Sequence, residues 1–537
     1  MSLDVYQRLL ALSRARAVPA ASRAHRHLSP RPWLLAGYHL AGEPSAPVAI
    51  RYGSFRDSPK LLTVAEPRDR AQRFAALGGL ARDLATYLSR YTVTEPVVRA
   101  TGNGRELDVD LCCVDAPQLI VPNEATAHWV GLLGQYLRSL DDPVLAAAGA
   151  HLGWIASRRN LPGSSVLLTA TDLLTAHWRT GQLPTEDGHL GRLLAWIEPP
   201  AGSDAWQAAR DAEAMPPAGP ASDPAWDAVV LRPALERAKE QGDVRRLKLA
   251  AAEVLAGPWR DTWAAIDLVR MLPPGEHVAK RWESDRWSWT RHRERVLAGT
   301  VSFSARLSDV PAYRFLHELE TRTAALERQM ALDDPLVMAR YLATGEAVAG
   351  VVIKRDPEHT VVNAGGRSVL RPLLWVRTSA AFDRPAGTDL WWGKVGMVVR
   401  AATDDTVELM VTSGAVTRPK LGLLPDSDTE VVLAPFGPLQ YFPDNLPDEL
   451  PWPTRSSRPK PAPEPELDDD LDTDVVLGTM ATAAATTAPP PAGGAAGRVP
   501  EPRAVPDSTV TPASPAASGS TTAPSGAVPS GESRGAW

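Results

Sequence analysis

Cysteine is almost absent from this chain: two in 537 residues, adjacent as Cys112 and Cys113. A stapled extracellular domain needs an even set of cysteines spread along the sequence, so no disulfide framework is possible and a reducing compartment is expected. Neighbours on a strand, the two would point to opposite sides as small buried hydrophobes. Long apolar runs are missing too. The longest, Val144 to Ala156, covers 13 positions and includes His151, short of the roughly 20 that span a bilayer as a helix. The chain opens Met1-Ser2-Leu3-Asp4-Val5, with an acid where an export signal carries positive charge. The expectation is a cytoplasmic protein with no membrane contact.

An excess of one charge is also lacking. Lys plus Arg is 57 against 63 Asp plus Glu, a net of -6, which excludes a chain-wide basic footprint for nucleic acid or anionic lipid. The sequence contains no GxSxG nucleophile elbow, no GxxxxGK[ST] phosphate loop, no GxGxxG after a strand and no HExxH. Serine hydrolysis, ATP hydrolysis and zincin chemistry therefore lack their parts. Of eleven histidines only His25 and His27 approach metal-ligand spacing, and with no Cys or acid nearby they read as surface residues. No cofactor and no metal is expected.

What is present speaks of organisation: a multi-domain α+β chain of about three domains. Residues 1–121 read as a small α+β domain. Its opening helix, Leu3 to Ala17, carries Val5, Leu9, Leu10 and Leu12 on one side, and that side should lie on a sheet. The runs 33–40, 47–52 and 60–65 suggest an antiparallel meander, followed by a helix over 70–90 and two strands over 106–114 and 118–121. Residues 122–344 read as an irregular all-α middle with a subdomain break at 201–225. Asp142-Pro143, Asp223-Pro224 and Asp334-Pro335 mark helix starts there, each placing an oxygen acceptor at the cap and proline in the first turn. Residues 345–437 hold about five short strands, the size of a small β-barrel. Residues 438–537 form a linker and a tail dominated by Pro, Ala, Ser, Thr and Gly, a composition that buries too little apolar surface to offset ordering entropy and predicts disorder. The tail carries one acidic island, Glu464, Glu466, Asp468, Asp469, Asp470, Asp472 and Asp474, ending at Val475-Val476-Leu477. It is a candidate interaction segment for a basic, apolar groove.

Two clusters carry candidate chemistry. In the segment Lys280 to Arg293 a helix would place Trp282, Arg286, Trp289 and Arg293 on one face at steps of four, three and four. Alternating flat aromatics and forked cations suit a protein partner or single-stranded nucleic acid; the same pattern also closes an ordinary helix packing surface. The second cluster is Asp57 at a hairpin turn with Glu66-Pro67-Arg68 after the next strand. Two carboxylates holding a divalent cation beside a positive side chain are the working parts of a metal-dependent nuclease, and the order of elements resembles the core of restriction-endonuclease-like nucleases. That family carries Lys where Arg68 stands, and Pro67 would disturb the strand.

The stretch Gln329-Met330-Ala331-Leu332-Asp333-Asp334-Pro335-Leu336-Val337-Met338-Ala339, running into Gly345 to Gly350, resembles a segment of large uncharacterised proteins of high-GC bacteria. The resemblance spans the helical part and the barrel. It implies association with helicase-type ATPases and supplies no catalytic residues. The first expectation is thus a non-enzymatic accessory or scaffold protein with a large protein partner, ahead of a nuclease acting through Asp57, Glu66 and Arg68, and of strand binding by the Arg/Trp helix.

Overall fold

The computed structural model describes residues 2–100, 107–213, 220–221, 223–301, 309–378, 380, 382, 384–413 and 423–437. The chain divides into two units, residues 1–458 and 459–537, and every described residue lies in the first. The expectations for 438–537, including Asp468, Asp469, Asp470, Asp472 and Asp474, fall outside the described residues.

The expected meander is present as β1 (Trp33–His39), β2 (Pro47–Gly53) and β3 (Lys60–Thr63), paired antiparallel with Leu35 opposite Tyr52 and Ala49 opposite Thr63. Helix α2 (Arg70–Leu88) follows, capped by the Asp69 carboxylate on Gln72 N. A two-stranded ribbon, β4 (Thr94–Ala100) with β5 (Leu107–Cys113), stands apart from the main sheet. Strand β6 (Leu119–Val121) then returns parallel to β1, and β7 (Leu167–Thr169) lies parallel to β6. The sheet order is β3-β2-β1-β6-β7. Residues 1–121 therefore do not close on themselves: the sheet takes its fifth strand from the segment expected to be wholly helical.

All seven residues of β1 are buried, which requires cover on both faces, since side chains alternate across a strand. On one face Trp33, Leu35, Ile50 and Tyr52 pack with α2, with α3 (Glu124–Leu137) and with α4 (Pro143–Arg158). On the other, Ala36, Tyr38 and Val48 meet α5 (Arg245–Val254), and Leu34, Ile120 and Leu168 meet Trp259, Trp263 and Ile266 of α6 (Ala256–Arg270). The result is three layers, helix on sheet on helix. Helices α3 and α4 approach closely because Gly134 faces Gly153 and Gly149 faces the Leu137–Arg138 peptide; a Cβ at either glycine would strike partner backbone. Trp129 of α3 lies flat over Gly37 of β1, where a side chain would enter its ring.

Helix α1 (Leu3–Arg14) corrects its expectation. Only Ala11 is buried, while Val5, Tyr6, Leu9 and Leu12 are exposed. The main sheet already has helices on both faces, and α1 instead meets the short antiparallel pairing of Val18–Pro19 with Trp178–Arg179.

After α7 (Val278–Leu297), α8 (Asp309–Asp333) and α9 (Pro335–Ala343), six strands form one antiparallel sheet: β8 (Val348–Asp356), β9 (Leu373–Arg377), β10 (Asp389–Trp392), β11 (Val395–Ala402), β12 (Thr406–Val411) and β13 (Glu430–Leu433), in the order β10-β11-β12-β9-β8-β13. Trp391 and Ala434 exchange backbone bonds of 2.8 and 2.9 Å between the two edge strands, nearly closing a barrel. Val352, Leu374, Val376, Met397, Val407 and Leu409 fill it. Strand β10 was not anticipated from sequence. Among the described residues no helix is long and apolar enough to cross a membrane.

Candidate anion-binding cleft

Helix α7 is amphipathic in an unusual sense, with an aromatic packing face and a cationic open face. The expected stripe of Trp282, Arg286, Trp289 and Arg293 lies on one side, as its spacing dictates, but that side faces inward. Trp289 is 1 % exposed and Trp282 7 %. Trp282 Nε1 donates to Asp115 Oδ1 at 2.9 Å, Trp289 Nε1 to the Tyr91 carbonyl at 2.8 Å, and Arg286 Nε to the Cys113 carbonyl at 2.9 Å. Arg286 also pairs with Glu95. Arg293 is half-buried. No base can stack on rings already packed in this way, so Trp282, Arg286 and Trp289 dock α7 onto the ribbon and the α3–α4 layer.

The opposite face carries Ser284, Trp287, Ser288, Arg291 and Arg295, which recur at helical steps and line a cleft of about 760 Å³. Its second wall is the end of α4 with Trp154, Ser157 and Arg158, continuing through Leu161 to Ser164. Its third is α8, with Phe315, Glu318 and Arg322. Gly163 holds φ at +85°, and a Cβ there would press on the Arg281 stem at 2.9 Å. That turn lets Arg281 run along the cleft floor.

Five arginines meet here: Arg158, Arg281, Arg291, Arg295 and Arg322. Arg322 is held by Glu318 at 2.7 Å. The other four have no carboxylate within ion-pair distance among the described residues. Arg158 Nη1 donates to Ser288 Oγ at 2.8 Å, and its buried Nε has no partner among the described residues. Arg281 donates to Gln329 Oε1 at 2.6 Å and to the His25 carbonyl at 3.0 Å. Arg291 and Arg295 are exposed, and no contact ties either side chain to a described residue. Outside the cleft some arginines meet acids, as Arg8 does Asp187, Arg68 Glu43, and Arg192 Glu186 and Glu213, while others such as Arg51 and Arg270 donate to backbone carbonyls.

The second acid of the cleft, Asp285, is turned into the wall, accepting from Ser164 Oγ and Ser165 N, both at 2.7 Å. Burial pushes its carboxyl up, against the pull of those two bonds and of the Arg158 and Arg26 charges. It offsets part of the positive field without presenting an oxygen to the opening. In the cleft wall His292 stacks on Trp154 with ring centres 4.8 Å apart, and its Nε2 meets His151 Nδ1 at 3.2 Å. Desolvation lowers His151 to about 4. Desolvation, then the charges of His151, Arg295 and Arg158, lowers His292 to about 3. Both imidazoles are thus neutral at ordinary pH, and the arginines remain the charge of the site.

The other sequence-derived residues do not converge. Asp57 sits in the turn between β2 and β3, and Glu66 lies beyond the far end of β3, so a whole strand separates the two carboxylates. Glu66 is taken by Lys239 at 3.1 Å and by Gln72, and Arg68 forks onto Glu43 through three contacts of 2.6 to 3.1 Å. The chain departs here from the nuclease pattern that Asp57, Glu66 and Arg68 suggested. Among the described residues no group of three or more His, Cys, Asp or Glu side chains is placed to hold a metal ion. His25, expected at the surface, is 1 % exposed and bonded to Asp334 at 3.2 Å, and His27 stacks on Trp282 at 4.1 Å. Cys112 and Cys113 are buried, as their strand position implied.

Fold and cleft together define a mixed α+β protein with an arginine-lined groove beside a layered core. No family model, no curated protein and no solved structure matches the chain.

Proposed function

We propose that this chain is a binding protein whose cleft between α4, α7 and α8 holds a phosphate-bearing ligand. The observation that supports this reading is the gathering of Arg158, Arg281, Arg291 and Arg295 around one opening with no carboxylate partner among the described residues. Like charges brought together repel, and a multivalent anion relieves that repulsion. Guanidinium forks match phosphate oxygens in geometry as well as charge. The accessory role expected from sequence belongs to the same proposal: the protein would hold this ligand for a larger partner, a helicase-type ATPase being the class the resemblance implies.

The test is calorimetric titration of the full chain with inorganic tripolyphosphate, for the wild type and for the Arg291→Ala, Arg295→Ala double variant. Exposed side chains without partners tolerate substitution within roughly 0.5 kcal/mol, so the variant is expected to fold normally. Each charge-assisted bond lost is worth about 1.5 kcal/mol or more, so affinity is expected to fall at least about 100-fold. Affinity should also decline as salt rises. Equal affinity in both proteins, or no saturable binding by the wild type, would contradict the reading.

A further inference from the structure

His292 lines the cleft but is only 5 % exposed, stacked on Trp154 and joined through Nε2 to His151 Nδ1. A hydrogen bond between two imidazoles needs one nitrogen to donate and the other to accept. The pair can therefore hold one added proton without losing that bond. As an imidazolium His292 donates from both nitrogens, Nε2 to His151 and Nδ1 to a further acceptor. A second proton, on His151, would set two donors against each other.

The charges around His292 come from three elements. Arg295 of α7 and Arg158 and His151 of α4 all disfavour its protonation, on top of desolvation, and no carboxylate is among the groups that shift it. Across the cleft α8 presents Glu318 and Arg322, which pair with each other. Asp285 is engaged by Ser164 and Ser165, and Arg291 adds one more cation to the opening. An anion held by Arg158 and Arg295 reverses this balance. It offsets the two guanidinium charges and turns negative charge toward the ring, so the protonated form becomes the favoured one.

We propose, on the basis of the phosphate-binding reading, that His292 is a further ligand group of the cleft: it takes up one proton from solvent as an oxyanion binds beside Arg158 and Arg295, and His151 accepts from the new imidazolium. Proton and anion then raise each other's affinity by the same factor. The sign follows from the two states. Free His292 is held at about 3, so the anion-bound protein carries more protons, and affinity rises as pH falls through the value that the bound imidazole adopts.

The test is calorimetric titration of the full chain with sulfate at pH 7.5 and pH 6.0, at constant ionic strength, with the pH 6.0 measurement repeated in buffers of different ionisation enthalpy. Sulfate keeps its charge over this range, so its own protonation does not enter. An imidazole returned to its ordinary value near 6.5 gives an affinity about 4-fold higher at pH 6.0 than at pH 7.5, and uptake of about 0.8 proton per sulfate at pH 6.0. His292→Asn should bind sulfate equally at both pH values and take up no proton. His292→Gln carries the same expectation and guards against a folding failure of the shorter amide. Sulfate binding without proton uptake by the wild type, or uptake that persists in the His292 variants, overturns the coupling and leaves the anion site standing. If neither sulfate nor tripolyphosphate binds, both readings fall.

Discussion

Replacing Asp334 by alanine is expected to destabilise the body by about 3–5 kcal/mol, the range for breaking a buried charged network from one side. The carboxylate is fully buried. Its Oδ2 accepts from Ser22 N at 2.7 Å and Arg23 N at 2.9 Å, and its Oδ1 from Ser22 Oγ at 2.8 Å and from Leu336 N at 2.9 Å as the cap of α9. His25 Nε2 adds a fifth contact at 3.2 Å. Burial works to raise this carboxyl, yet the donors from Ser22, Leu336 and Arg23 more than offset it and hold it below the usual range. Truncation leaves those donors without their acceptor and removes a cap. The neighbouring Asp333 accepts from His277 N at 3.1 Å and meets its Nδ1 at 2.6 Å. The two acids therefore tie the α8–α9 junction to the segment before β1 and to the turn before α7. A urea midpoint for Asp334→Ala unchanged from wild type would contradict this, since even a slope of about 5 kcal/mol per molar turns about 3 kcal/mol into a shift of about 0.6 M. The Asp-Asp-Pro that carries the sequence resemblance is, in this chain, a structural tie that sets the position of the α8 wall of the cleft.

Acidification is the second large effect. His151 and His292 are held neutral in the fold, at about 4 and about 3, whereas in the unfolded chain each binds a proton near 6.5. The unfolded state therefore gains protons first as pH falls. Stability is fully present above about pH 6.5 and is lost progressively below it, at up to about 1.4 kcal/mol per pH unit for each imidazole. Between pH 6.5 and 4.5 the pair alone should cost on the order of 4 kcal/mol. Desolvation lowers His25, His27, His39, His177 and His189 as well, in the same direction. Asp285, raised by burial, opposes the trend. Urea midpoints at pH 7 and pH 4.5 measure the loss, and His292→Asn should flatten the dependence. A midpoint unchanged by acid would show that the imidazoles are not held neutral.

Local signals carried much of the fold. The meander and α2 follow from period and turn residues, and Asp142, Asp223 and Asp334 cap their helices through bonds of 2.8 to 3.1 Å, as Asp-Pro predicts. What the sequence hid is non-local. Strand β7 is three residues long and joins the sheet only because β6 is there to receive it. Helix α1 has an apolar stripe that predicts burial, and nothing local reveals that both faces of the sheet are already taken. Helix α7 shows the limit most clearly. The segment 280–293 announces a helix with arginines and tryptophans on more than one side. Spacing alone groups Trp282 with Trp289 as readily as Trp287 with Arg291, and only the Tyr91 carbonyl and Asp115, distant in sequence, decide that the first set turns inward. The cleft face had a signal of its own, Ser284, Trp287, Ser288, Arg291 and Arg295, small and cationic residues without large aliphatics among them.

The claim on which the functional account stands is that the arginines of α4 and α7, which meet no carboxylate among the described residues, form an anion site. Crystals of the full chain soaked in tungstate test it directly, since tungsten scatters anomalously and tungstate mimics a phosphoryl group. The account predicts an anomalous peak inside the cleft, within hydrogen-bond reach of at least two of Arg158, Arg291 and Arg295, and its loss from crystals of the Arg291→Ala, Arg295→Ala variant. A cleft without tungsten while anions occupy other surfaces, or an undiminished peak in the variant, would contradict it.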